Sequence, residues 1–481
     1  MSLYVKKKDV LIFISNSIVL LLLIGYMLSN WEKTISGEEW CLTISYIVAA
    51  LFVYQLIMIF IKKYRYTDFI PWFVVLQFLF LYGRIIVRAM GRDDDIAWKL
   101  FAKFSETTMY QGALFCLVFS QAIFTGMLLV SINDSNRNID SVIMKKERED
   151  AYYTPSRMAF LGWGVFIITI PFKIYCNIST IIANRVSAGY VISGDYNGVV
   201  QALSYMPVAG MLLILCSKKY NKKKTLFIFA VFLIYEVFYM IFSGDRRQEV
   251  IGIMALVLCY CKLYRVKLDL KKIVAVVLLG IFALTFLATI RTGRSSVIYS
   301  MGEFVSLFFE VMSKNLVVET FGEFGATFFT VVSTVAYYPS QNSFALGLTY
   351  IAGIAIIIPG IMTKLFPNLF TYGSVGAACN AISGLPLGGS LAMDMYGNFG
   401  LYGSITSVLL GYAIGRIFKT QDVKYLSNYS VAKYYILFFI IMNGVRASFY
   451  ELTRPVAYTF IIIFLLNQFY SYRTEKKTVR A

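Results

Sequence analysis

The chain has 481 residues, of which 58% are apolar, 17% aromatic and only 15% charged, with a formal net charge of +18 and no histidine. A soluble globular chain carries roughly 25% charged residues, so this one lacks the polar surface to cover itself in water. Lipid must be its solvent over most of its area, which excludes the soluble classes and predicts an all-α, polytopic transmembrane helix bundle.

The first apolar run, 10–28, follows Lys6, Lys7 and Lys8 and lacks a small-residue cleavage site, so it reads as a signal anchor and first span. Further runs of spanning length lie near 41–61, 69–90, 108–130, 158–178, 199–217, 225–243, 248–264 and 273–290. Others follow at 325–339, 348–366, 397–416, 433–449 and 455–471. The run 325–339 is short, and dropping it with its neighbour leaves 12 spans in place of 14. No stretch is polar enough for a separate soluble domain, so residues 1–481 are expected to form a single integral membrane domain.

Lysine clusters at Lys62/Lys63, Lys145/Lys146, Lys218/Lys219, Lys222–Lys224, Lys271/Lys272 and Lys476/Lys477 fall in alternate connections. By the positive-inside rule these are cytoplasmic, which puts both termini in the cytoplasm. The other connections then face outward, and they are the larger and chemically more mixed ones. One of them, 291–322, is expected to be an extracytoplasmic loop region. Within it, 298–320 has helical periodicity, with Glu303, Ser306, Glu310 and Ser313 on one face and Met301, Phe304, Phe308 and Met312 on the other. That pattern predicts an amphipathic helix lying at the membrane surface.

Arginine lies where the positive-inside rule disfavours it. Arg84, Arg88, Arg92, Arg185, Arg246, Arg247, Arg291, Arg294, Arg446 and Arg454 sit in the outward connections or at the helix ends beside them. The guanidinium fork matches phosphate oxygens bidentately, as an ammonium does not. Several such groups at one depth point to an anionic ligand, the alternative being that each pairs with a nearby acid or a lipid head group. The absence of histidine removes the commonest general base and the commonest transition-metal ligand, so no metal or other cofactor is expected and acid–base work must rest on carboxylates. Asp93–Asp95 reads as a solvated acidic loop, and the seven cysteines as packing thiols. Asp394 stands at the threshold of an apolar helix, and Glu323 is expected to head the weak span at 325–339, where a helix dipole would favour it. Each is a candidate base, or else the structural partner of an arginine.

The segment 385–403, Leu-Pro-Leu-Gly-Gly-Ser-Leu-Ala-Met-Asp-Met-Tyr-Gly-Asn-Phe-Gly-Leu-Tyr-Gly, resembles the bacterial O-antigen and capsular polysaccharide repeat-unit polymerases (Wzy family). There, a Gly-Gly-Ser element, an acid and Asn-Phe-Gly precede a late spanning helix. Glu323 in Gly-Glu-Phe-Gly, Pro339, Gly347-Leu-Thr-Tyr350, the Ser-Gly-Asp-Arg-Arg loop, and Arg446-Ala-Ser-Phe-Tyr-Glu-Leu-Thr-Arg454 are similar too. The resemblance covers about half the chain, from roughly 240 to 470. One departure is that the acid, more often glutamate in the family, is Asp394 here.

The resemblance implies a glycosyltransferase that joins undecaprenyl-pyrophosphate-linked oligosaccharide repeat units at the outer face of the bacterial plasma membrane. Its partners would be membrane lipid, a flippase and a chain-length regulator, with no nucleic acid. On that reading Arg246, Arg247, Arg291, Arg294, Arg446 and Arg454 hold the pyrophosphates, and Asp394, with Glu323 as second choice, is the base. Tyr350, Tyr372 and Tyr396 are candidates to stack on sugars. Two other readings remain open on sequence: a flippase or transporter for lipid-linked sugars, and an O-antigen ligase-type transferase.

Overall fold

The computed structural model describes residues 7–93, 99–130, 139–186, 197–243, 247–266, 302–303, 305–306, 309–310, 316–358, 360, 364, 374–385, 387–419 and 425–480. Among them there is no strand, and the all-α class holds. In chain order the helices are α1 (Lys7–Asn30), α2 (Glu39–Ile61), α3 (Phe69–Ala89), α4 (Glu106–Leu129), α5 (Ile139–Tyr152) and α6 (Pro155–Val186). Then come α7 (Gly198–Ser204), α8 (Met206–Ser217), α9 (Lys222–Ser243), α10 (Arg247–Leu263), α11 (Leu316–Phe324) and α12 (Phe328–Tyr337). The last are α13 (Leu348–Ala355), α14 (Val375–Ser383), α15 (Leu391–Phe399), α16 (Tyr402–Ile417), α17 (Asn428–Met442) and α18 (Phe449–Arg480).

Seven helical segments among the described residues are long and apolar enough to cross a membrane: Lys8–Asn30, Glu39–Ile61, Phe69–Ala89, Glu106–Leu129, Pro155–Ala183, Gly198–Ser217 and Phe449–Lys476. The chain is therefore a multi-pass membrane protein. Leu21, Leu22 and Phe60 are exposed on α1 and α2, as expected of side chains whose solvent is acyl chain. The expected span 273–290 lies outside the described residues. So does most of the expected amphipathic helix, although 302–303, 305–306 and 309–310 are helical and Glu303, Ser306 and Glu310 are exposed.

Three late spans differ from expectation. The run at 325–339 is a 3-10 turn, Gly325–Thr327, followed by the ten-residue α12. At 1.5 Å rise per residue α12 is about 15 Å long, half a bilayer core. The run at 348–366 yields the eight-residue α13, which ends at Ala355. The run at 397–416 is two helices, because Gly400 takes φ +56° and ends α15 before α16 begins. Apolarity fixes where a chain prefers lipid, but a left-handed glycine decides where a helix stops.

The chain divides into two compact units. The first comprises Met1–Glu147, Phe321–Tyr425 and Ile440–Arg454. Its centre is α4, buried on every side, with α1, α2, α3, α12 and α16 packed on it. The approach of α4 to α16 is set by glycines: a Cβ added at Gly411 would stand 2.1 Å from the Ile123 carbonyl oxygen, and one at Gly126 would stand 2.1 Å from that of Val408. Lipid offers no hydrophobic force between helices, so such close backbone packing supplies the attraction.

The second unit comprises Arg148–Thr320, Leu426–Phe439 and Pro455–Ala481. Here α6 lies against α8 through Gly162 and Gly210, where added Cβ atoms would stand 2.9 and 2.8 Å from each other's carbonyl oxygens. Deeper along α6, Lys173 places Nζ 3.1 Å from Glu236 Oε2 on α9 and 3.3 Å from Glu249 Oε1 on α10. All three side chains are buried, so one ammonium pins three helices. Near the start of α6, the Arg157 guanidinium donates to Asn467 Oδ1 at 2.7 Å and lies 3.8 Å over the Tyr152 ring.

Candidate functional site

The site in the first unit is built on α15, a nine-residue helix too short to span. Ser390 caps it, its Oγ accepting the Met393 N–H at 3.1 Å and sharing a 2.8 Å hydrogen bond with Thr330 Oγ1 of α12. Asn398, near the other end, has its amide fully committed. Nδ2 donates to Thr349 Oγ1 at 2.6 Å and to the Asp394 carbonyl at 2.7 Å, while Oδ1 accepts the Gly347 N–H at 2.9 Å. Backbone bonds from Ala345 N to Gly397 O and from Leu346 N to Asn398 O, both 3.0 Å, complete the clamp. The Gly-Gly-Ser and Asn-Phe-Gly elements singled out in the sequence are thus the two anchors of one short helix. Between them lies the acid expected from the sequence to be the first-choice base.

That residue is Asp394, 2% exposed. Its Oδ2 accepts the Phe449 N–H at 2.6 Å, so the carboxylate sits on the first turn of α18. Burial pushes its pKa up to about 8, against the pull of the Phe449 hydrogen bond and with a smaller push from Glu451. Tyr350 is raised above its ordinary range by burial first and by the Asp394 charge second, which puts the phenol within the field of the carboxylate. A buried carboxyl poised near neutrality can take up and release a proton, as a general base requires.

Two of the expected arginines flank the turn that Asp394 touches. Between α17 and α18 the chain makes a 3-10 turn, Asn443–Val445, which Arg446 ends. Arg454 lies in the second turn of α18, and its Nε donates to the Ile356 carbonyl at 2.9 Å, at the C-terminal end of α13. A cation at that end complements the helix dipole. Asp394 therefore meets the chain at Phe449, between Arg446, three residues before it, and Arg454, five after it.

The remaining expected residues are distributed differently. Arg246, Arg291 and Arg294 lie outside the described residues, and Arg247 begins α10 with its side chain outside them. Glu323 is half-buried in the last turn of α11, not at the head of a helix, so the dipole argument made for it does not apply. Two other arginines expected to face outward are paired with acids. Arg84, wholly buried, binds Asp93 at 2.7 Å, and Arg88 makes a fork on Glu106 at 2.7 and 3.0 Å and reaches Glu38 at 2.8 Å. Of the tyrosines proposed for sugar stacking, Tyr350 packs on Phe449 at 5.1 Å, and Tyr396 is buried among Trp31, Phe115 and Phe344. Both rings are engaged inside the protein, and Tyr372 lies outside the described residues.

Sequence reasoning passed over Lys173 and Glu236. The signal was present: single charges inside the apolar stretches Ile-Pro-Phe-Lys-Ile-Tyr and Ile-Tyr-Glu-Val-Phe, where a charge must have a partner. Among the described residues no group of three or more histidine, cysteine or acidic side chains is arranged to share a metal ion.

Comparison with known proteins gives one result that covers nearly the whole chain. The family model described as O-antigen polysaccharide polymerase Wzy matches residues 11–477. No curated protein and no solved structure matches. Asp394, Arg446 and Arg454 fall inside the matched region, and the chain belongs to the O-antigen polysaccharide polymerase Wzy family.

Proposed function

We propose that the protein joins lipid-linked oligosaccharide repeat units at the outer face of the bacterial plasma membrane. The growing glycan passes from its undecaprenyl pyrophosphate carrier onto the non-reducing sugar of a new lipid-linked unit. The acceptor hydroxyl attacks the anomeric carbon of the donor, the bond from that carbon to the pyrophosphate oxygen breaks, and the hydroxyl proton goes to the Asp394 carboxylate. Arg446 and Arg454 stabilise the charge that develops on the departing diphosphate. In a site that excludes water such preorganised donors supply a large part of the rate. Arg246, Arg247, Arg291 and Arg294 remain proposed contacts to the pyrophosphates, and Glu323 the second choice of base. No metal is needed for this route, and a flippase that delivers substrate and a chain-length regulator are the proposed partners.

The observation that carries the reading is a carboxylate, 2% exposed, fixed on a short anchored helix against the first N–H of α18, which lies between Arg446 and Arg454 in the chain. The test is to incubate purified protein with a synthetic undecaprenyl-pyrophosphate-linked repeat unit and resolve the products by length. A ladder of elongated lipid-linked glycans is expected. Sugar crossing a vesicle wall without elongation means a flippase instead, and transfer only to a different acceptor means a ligase.

A further inference from the structure

The start of α18 reads Ser448-Phe-Tyr-Glu451, the capping-box spacing in which the serine hydroxyl accepts an N–H of the first turn. The structure does not use it that way. Glu451 N donates to the Ser448 backbone carbonyl at 3.1 Å, and the Phe449 N–H goes to Asp394. Ser448, 1% exposed, is left with its Oγ buried and with no hydrogen-bond partner among the described residues. A buried hydroxyl without a partner costs about 1–3 kcal/mol, so its position calls for a ligand.

The loop that approaches this turn is Gly388-Gly389, with Gly388 at φ +79°. A Cβ on Gly389 would stand 2.9 Å from Ser448 N, so the absence of a side chain there is what lets the loop lie on the turn. The Phe449 N–H is held by a side chain and not by a backbone carbonyl, so a phosphate oxygen could take it over at the positive end of the helix dipole. Arg446 stands two residues before Ser448 and Arg454 six after it.

We infer that the first turn of α18 is a phosphate position, formed by the Ser448 hydroxyl and the Phe449 N–H, which the Asp394 carboxylate holds as a placeholder until a phosphate group displaces it. The inference rests on the proposed polymerase reading and deepens it. Arrival of the diphosphate frees Asp394 from the helix start, so the base becomes available only when the leaving group is in place. Premature attack by water on an unpaired donor is thereby suppressed.

The experiment measures equilibrium binding of inorganic pyrophosphate, undecaprenyl pyrophosphate and phosphatidylglycerol to the full chain in nanodiscs of neutral lipid, at fixed ionic strength. Wild type is compared with Asp394→Asn, Ser448→Ala and Ser448→Thr. Above about pH 8, where Asp394 is ionised, Asp394→Asn keeps an acceptor for Phe449 and removes the competing charge, so it binds pyrophosphate severalfold tighter. Ser448→Ala binds it about three- to tenfold weaker, the worth of one hydrogen bond. Ser448→Thr retains the hydroxyl and the affinity, which separates ligand contact from a packing defect. If Asp394→Asn binds no tighter, or Ser448→Ala no weaker, the inference is overturned. If the two shifts appear with phosphatidylglycerol alone, the phosphate position stands and its ligand is a phospholipid head group, which overturns the coupling to the leaving group. Tighter binding with full polymerisation in Asp394→Asn removes the base role and leaves the phosphate position intact. Lost polymerisation without tighter binding does the reverse.

Discussion

The Asp394 carboxylate accepts the Phe449 N–H at 2.6 Å, so an acid on a nine-residue helix closes the first turn of the 32-residue last one. One side chain thus serves both a helix start and the proposed proton transfer, and substitutions separate the two duties. Asp394→Asn keeps the hydrogen bond and loses the base, and turnover falls by about 10²–10⁴-fold with the fold intact. Asp394→Ala also leaves the N–H bare, for a further loss of about 0.5–2 kcal/mol of stability, the usual worth of a helix cap. Glycan ladders and thermal unfolding of the same preparations check both.

The pH dependence has a definite sign. A base works ionised, and burial holds Asp394 up at about 8, so polymerisation at saturating substrate rises as pH increases through that value and then levels off. Stability runs the other way. The folded state binds the Asp394 proton more tightly than the unfolded chain does, so this group's contribution is fully present below the ordinary value of 3.8 and is lost as pH rises through about 8. Asp394→Asn flattens that part of the stability profile. A wild-type rate that is flat across this range would remove Asp394 from the proton transfer.

Asn398 has a positioning role, because its amide ties α15 to Gly347 and Thr349 ahead of and within α13. Asn398→Ala breaks three hydrogen bonds and is expected to cost about 2 kcal/mol or more. Turnover should fall while affinity for the lipid-linked substrate changes little, since Asp394 is displaced and Arg446 and Arg454 are not. Equal losses in both parameters would mean only that the site had collapsed.

In the second unit, Lys173→Met strands two buried carboxylates that one ammonium had served. Removing one partner of a buried ion pair costs about 3–5 kcal/mol, so unfolding in detergent should shift strongly. Lys173→Met combined with Glu236→Gln should recover part of the loss, because one stranded charge is gone. No recovery in the double variant would show that the triad is not coupled.

Gly411→Leu tests the packing of α4 on α16. The new Cβ would fall 2.1 Å from the Ile123 carbonyl oxygen, a backbone atom that no rotamer can move aside. Overpacking of this kind costs about 1–3 kcal/mol or more, seen as lower yield of folded protein and a lower unfolding temperature.

Composition and hydropathy alone determined that this chain lives in lipid and is helical, because an apolar backbone segment in a bilayer has no other way to satisfy its polar groups. The residue types of the motifs also singled out Asp394, Arg446 and Arg454 as the groups to watch. Tertiary structure decided everything that depends on which groups meet. It showed that the run 397–416 breaks at Gly400, that Glu323 lies in the last turn of a helix, and which acids hold Arg84 and Arg88: Asp93 for the first, Glu106 and Glu38 for the second. It also showed that Lys173 finds two glutamates on other helices. Hydropathy averages over a window and so cannot register a single left-handed residue. For charges paired between helices far apart in sequence, the local trace is only the lone charge in an apolar run, since the partner is chosen by packing.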